Sequence, residues 1–134
     1  MEPLTQLRNK GYRITTQRKS VLQNITSDPL TVEEIFSRLK KKNINIDLAS
    51  IYRTLVLLKN SELITQVDFG DGRKRYELVG EKNHHHHLIC NTCGRIENVY
   101  FGQEAKILKE ISLNSQFAVQ KHTLELFGLC KHCQ

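Results

Sequence analysis

The chain has 134 residues, enough for one medium domain or two small ones. An apolar fraction of 39% with no long apolar run excludes a membrane-spanning helix. The net charge of +6 and a pI near 9.3 favour a polyanionic partner.

The charge is uneven. Residues 1–80 hold 14 Lys/Arg against 9 Asp/Glu, whereas residues 81–134 hold 6 against 5 and every Cys and His of the protein. A basic module without obvious metal ligands is thus followed by a nearly neutral module rich in them. The expected division is 1–80 and 81–134, in an α+β chain.

In chain order, residues 2–10 read as a short helix with Leu4 and Leu7 on one side, broken at Gly11. Thr15 or Thr16 is placed to cap a helix running to about Ile25, with Val21, Leu22 and Ile25 as its apolar face. Asp28–Pro29 interrupts the chain. Thr31 and Glu34 then form the T-x-x-E pattern of a capping box, and Val32, Ile35, Phe36 and Leu39 give a helical stripe to about Lys42. Lys40–Lys41–Lys42 complements the dipole at that helix's end.

Asp47 is placed to cap a third helix of this series over Leu48–Ser61. Leu48, Ile51, Leu55 and Leu58 form its apolar stripe, and Ser50, Arg53 and Thr54 lie opposite. Two strand-like runs, 63–69 and 74–78, flank Gly70–Asp71–Gly72–Arg73 and predict a β-hairpin with a basic, glycine-rich tip. Three helices and a hairpin, in that order, describe a winged helix-turn-helix, whose last helix enters the major groove while the wing reaches the backbone or minor groove.

In the second module, 87–90 and 95–100 read as strands and 103–113 as an amphipathic helix with Ile107, Leu108 and Ile111 inward. The run 117–127 alternates, placing Ala118, Gln120, His122, Leu124 and Leu126 on one strand face. So small a module has little core of its own and is expected to pack against a second copy.

Cys90-x-x-Cys93 and Cys130-x-x-Cys133 contain all four cysteines. Two such knuckles present four thiolates and read as a tetrahedral zinc site; two disulfides or free thiols are the alternative reading. No secretory leader is read at the start, so a reducing, cytoplasmic setting is expected.

The cysteines alone complete one zinc, so the run His84–His87 needs its own account. In extended chain successive side chains face opposite ways. His84 and His86 then serve one face and His85 and His87 the other, feeding two metal sites. A solvated polar loop is the alternative.

Over nearly its whole length the chain resembles the ferric uptake regulator superfamily. The matching pieces are Gly11-x-Arg13-x-Thr15-x-Gln17-Arg18, Ser50–Leu55, Arg75–Leu78, His84–Cys93 and His122–Cys130. The resemblance implies a dimeric, winged-helix repressor that binds double-stranded operator DNA when loaded with metal, without a membrane partner. It implies a structural Zn²⁺ at Cys90, Cys93, Cys130 and Cys133, and a second site at His84, His86, Glu104 and His122.

It further implies an interdomain sensor at Glu77, His85 and His87. Pro29–Leu30 stands where family members often place another histidine, leaving water, Glu97 or Asp68 as candidates to complete that site. The regulatory ion that the resemblance implies is Zn²⁺ or Fe²⁺, with Mn²⁺ also compatible with such donors. Tyr52 and Arg53 are expected nearest the bases, with Ser50 and Thr54 on the same face and Thr15, Arg18 and Arg73 toward the backbone.

A peroxide-responsive member of the same family is the nearest alternative. A zinc hydrolase would need an open metal position and a general base, and neither H-E-x-x-H nor H-x-E…P-C-x-x-C is present. A metal-storage protein would account for the histidines but not for the basic half. No enzymatic role is expected.

Overall fold

The structure, a computed structural model, describes residues 2–80 and 84–134. The expected start of the second domain, at residue 81, lies outside the described residues. The chain divides into two compact units, Met1–Glu81 and Lys82–Gln134, and its fold is α+β: a winged helix-turn-helix followed by a small α/β unit.

The first unit runs α1 (Pro3–Asn9), α2 (Thr16–Gln23), β1 (Leu30–Thr31), α3 (Val32–Lys41), α4 (Leu48–Asn60), β2 (Ile64–Asp68) and β3 (Lys74–Leu78). Thr15 caps α2 by accepting from the Arg18 N–H at 3.2 Å. The capping box of α3 is complete, with Thr31 Oγ1 accepting from the Glu34 N–H at 3.2 Å and Glu34 Oε2 from the Thr31 N–H at 3.1 Å. Those two bonds satisfy donors that a helix start otherwise leaves orphaned.

The hairpin of β2 and β3 pairs antiparallel with Gln66 opposite Tyr76. The two-residue β1 adds to the other edge of β3, Leu30 opposite Tyr76, in the order β1-β3-β2. That strand was not read in the sequence, because two residues after a proline are too short to show alternation. Gly70 and Gly72 take positive φ at the wing tip, a conformation an L side chain rarely adopts.

The helices pack into one apolar core built on Leu7, Val21, Ile35, Leu39, Ile51, Leu55 and Leu58. Burial of each such side chain contributes about 1.5–3 kcal/mol. Leu48 departs from its expected place: it is 43% exposed, and with Tyr52 and Val56 it forms an outward stripe along α4 at intervals of one turn.

The second unit contains β4 (His86–Cys90), β5 (Ile96–Val99), α5 (Glu104–Ser115) and β6 (Glu125–Gly128). The strand order is β5-β4-β6, with β5 antiparallel and β6 parallel to β4. The expected strand over 117–127 is a correction: only its last three residues, with Gly128, reach β4 and form a ladder. His122 therefore lies in the chain before β6, not on a strand face.

Nor does α5 bury an inward face within this chain, since Ile107 and Ile111 are about half exposed. Among the described residues of this unit, only His86, His87 and Cys90 are buried. Its interior is made of histidine and cysteine rather than aliphatic side chains. No described helix is long and apolar enough to cross a membrane.

Candidate metal centres and nucleic-acid face

The parallel pairing of β6 with β4 places Gly128 opposite Cys90, and the Asn91 N–H donates to the Gly128 carbonyl at 2.8 Å. Both cysteine knuckles therefore begin at the same end of one sheet. Each is a tight turn, closed by Gly94 N–H to the Cys90 carbonyl and Cys133 N–H to the Cys130 carbonyl, both at 3.0 Å.

The four sulfurs lie within 4.8 Å of one another, and all four cysteines are free thiols rather than disulfides. A tetrahedron with Zn–S arms of ~2.3 Å has edges of about 3.8 Å. Cys93 Sγ stands 3.8 Å from Cys130 Sγ, so that edge matches a zinc tetrahedron, and the donor set fits zinc in chemistry.

Electrostatics in the cluster follow from crowding. The Cys130 N–H, 3.4 Å from Cys90 Sγ, is the main influence holding the Cys90 thiol at about 6. Cys133, hydrogen-bonded to the Cys130 sulfur and pressed by its neighbours, is pushed up to about 12. Four thiols this close cannot all ionise unaided.

A second cluster collects residues from three parts of the unit. His84 precedes β4, His86 lies on it, Glu104 opens α5, and His122 comes from the chain before β6. His84 Nε2 lies 3.2 Å from His86 Nε2, 3.1 Å from His122 Nε2 and 3.1 Å from Glu104 Oε1. His86 Nε2 is 2.5 Å from the same Glu104 oxygen, and His122 Nε2 also contacts it.

Burial works to raise the Glu104 carboxyl, but hydrogen bonds from His86, His122 and His84 outweigh it and hold the group at about 2. Three imidazole nitrogens and a carboxylate oxygen converge here with more lone pairs than protons to share. The donor set fits a divalent cation such as Zn²⁺, Fe²⁺ or Mn²⁺.

The alternation of the histidine run is visible in the rings. The His85 and His87 rings face each other with centroids 5.1 Å apart, and Tyr100 sits beside His85 at 5.7 Å. Phe101, the next residue, lies instead beside His86 at 5.5 Å. Glu77 is a buried residue of β3 in the first unit, opposite Thr65. Of the other carboxylates considered, Glu97 pairs with Arg95 at 2.8 Å, and Asp68 accepts from the Gly70 N–H at 2.8 Å.

On the first unit, Thr15, Gln17, Arg18, Ser50, Arg53 and Thr54 line one cleft of about 240 Å³. Thr54 forms its buried floor, donating its hydroxyl to the Ser50 carbonyl at 2.9 Å, while Arg53 is exposed. Arg18 donates to the Arg13 carbonyl at 2.7 Å.

Tyr52 and Arg73 line a second cleft of about 650 Å³ reaching from α3 to the wing. Gln17, which the sequence reading gives no role of its own, lines the first cleft, and Leu48 and Val56 lie exposed one turn to either side of Tyr52. Only the one-turn spacing of Leu48, Tyr52 and Val56 could have signalled an outward stripe.

A model of the ferric uptake regulator family matches residues 9–127. The chain belongs to that family.

It is 33% identical over 133 residues to the ferric uptake regulation protein of Bacillus subtilis, covering 96% of this chain and 89% of the relative. It is 32% identical over 135 residues to the peroxide-responsive repressor PerR of Staphylococcus saprophyticus, covering 99% and 90%. The Helicobacter pylori ferric uptake regulator Fur, whose structure reveals three functional metal-binding sites, superposes with a TM-score of 0.82 at 26% identity, covering 96% of this chain and 87% of that one. By name, all three are regulators.

Proposed function

We propose that this member of the family is a homodimeric, cytoplasmic repressor of metal-uptake genes, activated by Zn²⁺ or Fe²⁺ and acting on double-stranded operator DNA. Family membership makes it a metal-dependent, DNA-binding transcription regulator. The observation that carries the finer reading is the presence of two ligand clusters of different chemistry in one small unit of a chain that also carries a basic winged helix. One cluster is all thiolate; the other is imidazole with carboxylate.

Cys90, Cys93, Cys130 and Cys133 hold a structural Zn²⁺, which supplies folding free energy to a unit with little apolar interior. His84, His86, Glu104 and His122 hold a second ion. His85 and His87, on the other face of the run, act with Glu77 as the sensor, tying residues 1–80 to residues 81–134. Ligation there restricts the orientations open to the two DNA-reading units of a dimer, and operator spacing selects among them.

At the operator, α4 supplies Ser50, Tyr52, Arg53 and Thr54 to the major groove, and Thr15, Arg18 and Arg73 face the backbone. Phosphate contacts of this kind make affinity fall steeply with salt.

DNA-binding anisotropy tests this reading. The protein is stripped mildly so that the cysteine zinc stays, then given Zn²⁺, Fe²⁺ or Mn²⁺ anaerobically with a promoter fragment from its gene neighbourhood. Restoration by one of these metals supports the sensor; tight binding indifferent to every metal contradicts it.

The similarity to a peroxide-responsive repressor sustains a second reading. In the resemblance that branch usually carries aspartate at the position of Glu77, which favours the first. Loss of DNA binding when the Fe²⁺-loaded protein meets micromolar peroxide, with no such loss in the Mn²⁺-loaded form, would reverse that preference.

A further inference from the structure

We infer that Asp47 is a positioning residue for DNA recognition, acting through Ser50 to hold the Arg53 guanidinium for a guanine edge; the inference rests on the DNA-binding reading above. Asp47 occupies the N-cap position of α4, where its carboxylate forms no well-aligned cap hydrogen bond and feels the nearby backbone N–H groups less than it feels the Ser50 hydroxyl. Its Oδ1 instead accepts the Ser50 hydroxyl proton at 2.5 Å. With that proton committed, Ser50 Oγ accepts from Arg53 Nη2 at 3.0 Å.

The three side chains follow one another at intervals of three residues on the outer face of α4, where Asp47 and Arg53 are both exposed. The hydrogen bond from Ser50 holds the Asp47 carboxyl below its usual range, so the acceptor end of the relay stays charged.

One of five guanidinium N–H donors is used by this relay, leaving an edge for a bidentate contact. Guanine offers the matching pair of acceptors, O6 and N7, in the major groove. An arginine already restricted in its rotamers loses less freedom on binding than a mobile one. The carboxylate also acts against wrong sites. It repels phosphates, and it keeps Arg53 from serving as a mobile phosphate contact at any sequence.

The test uses the metal-loaded full-length protein and a duplex enriched from a random pool by the wild type, compared with a scrambled duplex of the same composition. Asp47→Asn and Ser50→Ala are measured alongside wild type, the latter keeping the Asp47 carboxylate at the helix start. Each variant is expected to lower the ratio of specific to non-specific affinity by about tenfold, with the loss concentrated at one guanine per half-site. In Asp47→Asn, non-specific binding should also tighten, and its salt slope should steepen by about one phosphate contact.

Discrimination within about twofold of wild type in both variants overturns the relay. So does an even loss across all base positions, which would mark Asp47 as a helix cap alone. A wild type that enriches no sequence overturns the DNA-binding reading itself, and this inference with it.

Discussion

Glu104 is the point on which His84, His86 and His122 converge, and its carboxyl is held at about 2 although burial opposes ionisation. Glu104→Gln removes the charge while keeping the shape. Competition with a chelator should then show affinity at that site reduced by at least about tenfold, the range reached even by residues that only support ligands, with the cysteine zinc retained. At the wing tip, Asp71 is hydrogen-bonded by Arg75 at 3.1 and 2.7 Å, and with the Arg73 N–H this holds its carboxyl at about 2.

Because the folded value lies below the ordinary 3.8, the stabilisation is present above that pH. It is lost as pH falls through about 2. NMR titration should give a depressed value for Asp71 in the wild type and a return toward the ordinary one in Arg75→Gln. At this scale much was legible: strict alternation put His84 with His86 and His85 with His87. Asp47 was legible as a position but not as chemistry. A cap and a relay use the same residue at the same spacing, and only side-chain geometry separates them.

The elements that were read well had local chemistry to mark them. Thr31 and Glu34 announce the start of α3 by reciprocal hydrogen bonds that depend on nothing distant. Strand β6 had no such marker. Residues 117–127 alternate, yet a strand exists only where a neighbour offers a ladder, and β4 offers one only from Glu125 onward.

The stripe Ile107, Leu108 and Ile111 on α5 was read correctly as apolar and wrongly as inward, because periodicity states which residues share a face but not what covers it. Its exposure supports the proposed homodimer as the cover. Ile111→Glu should then shift the protein from dimer to monomer in sedimentation or light scattering, with the winged-helix unit still folded. A dimer unchanged by that substitution would move the interface elsewhere.

At the scale of the whole chain, the two units are stabilised by different physics. The first has a continuous aliphatic core, whereas the second buries only His86, His87 and Cys90 among its described residues. In the proposed reading, a unit so poor in apolar burial draws its stability from bound metal and from assembly. The charge asymmetry and the confinement of every Cys and His to residues 81–134 underlie the proposed division of roles; the sensed metal was not legible, because nitrogen and carboxylate donors suit several divalent ions.

The measurement that tests this account most directly counts metal ions per chain by native mass spectrometry while DNA binding is followed on the same samples. The account predicts one tightly held zinc that survives mild chelation with DNA binding silent, and binding that appears only as further ions occupy the histidine sites. Full-affinity DNA binding with a single ion per chain would contradict it.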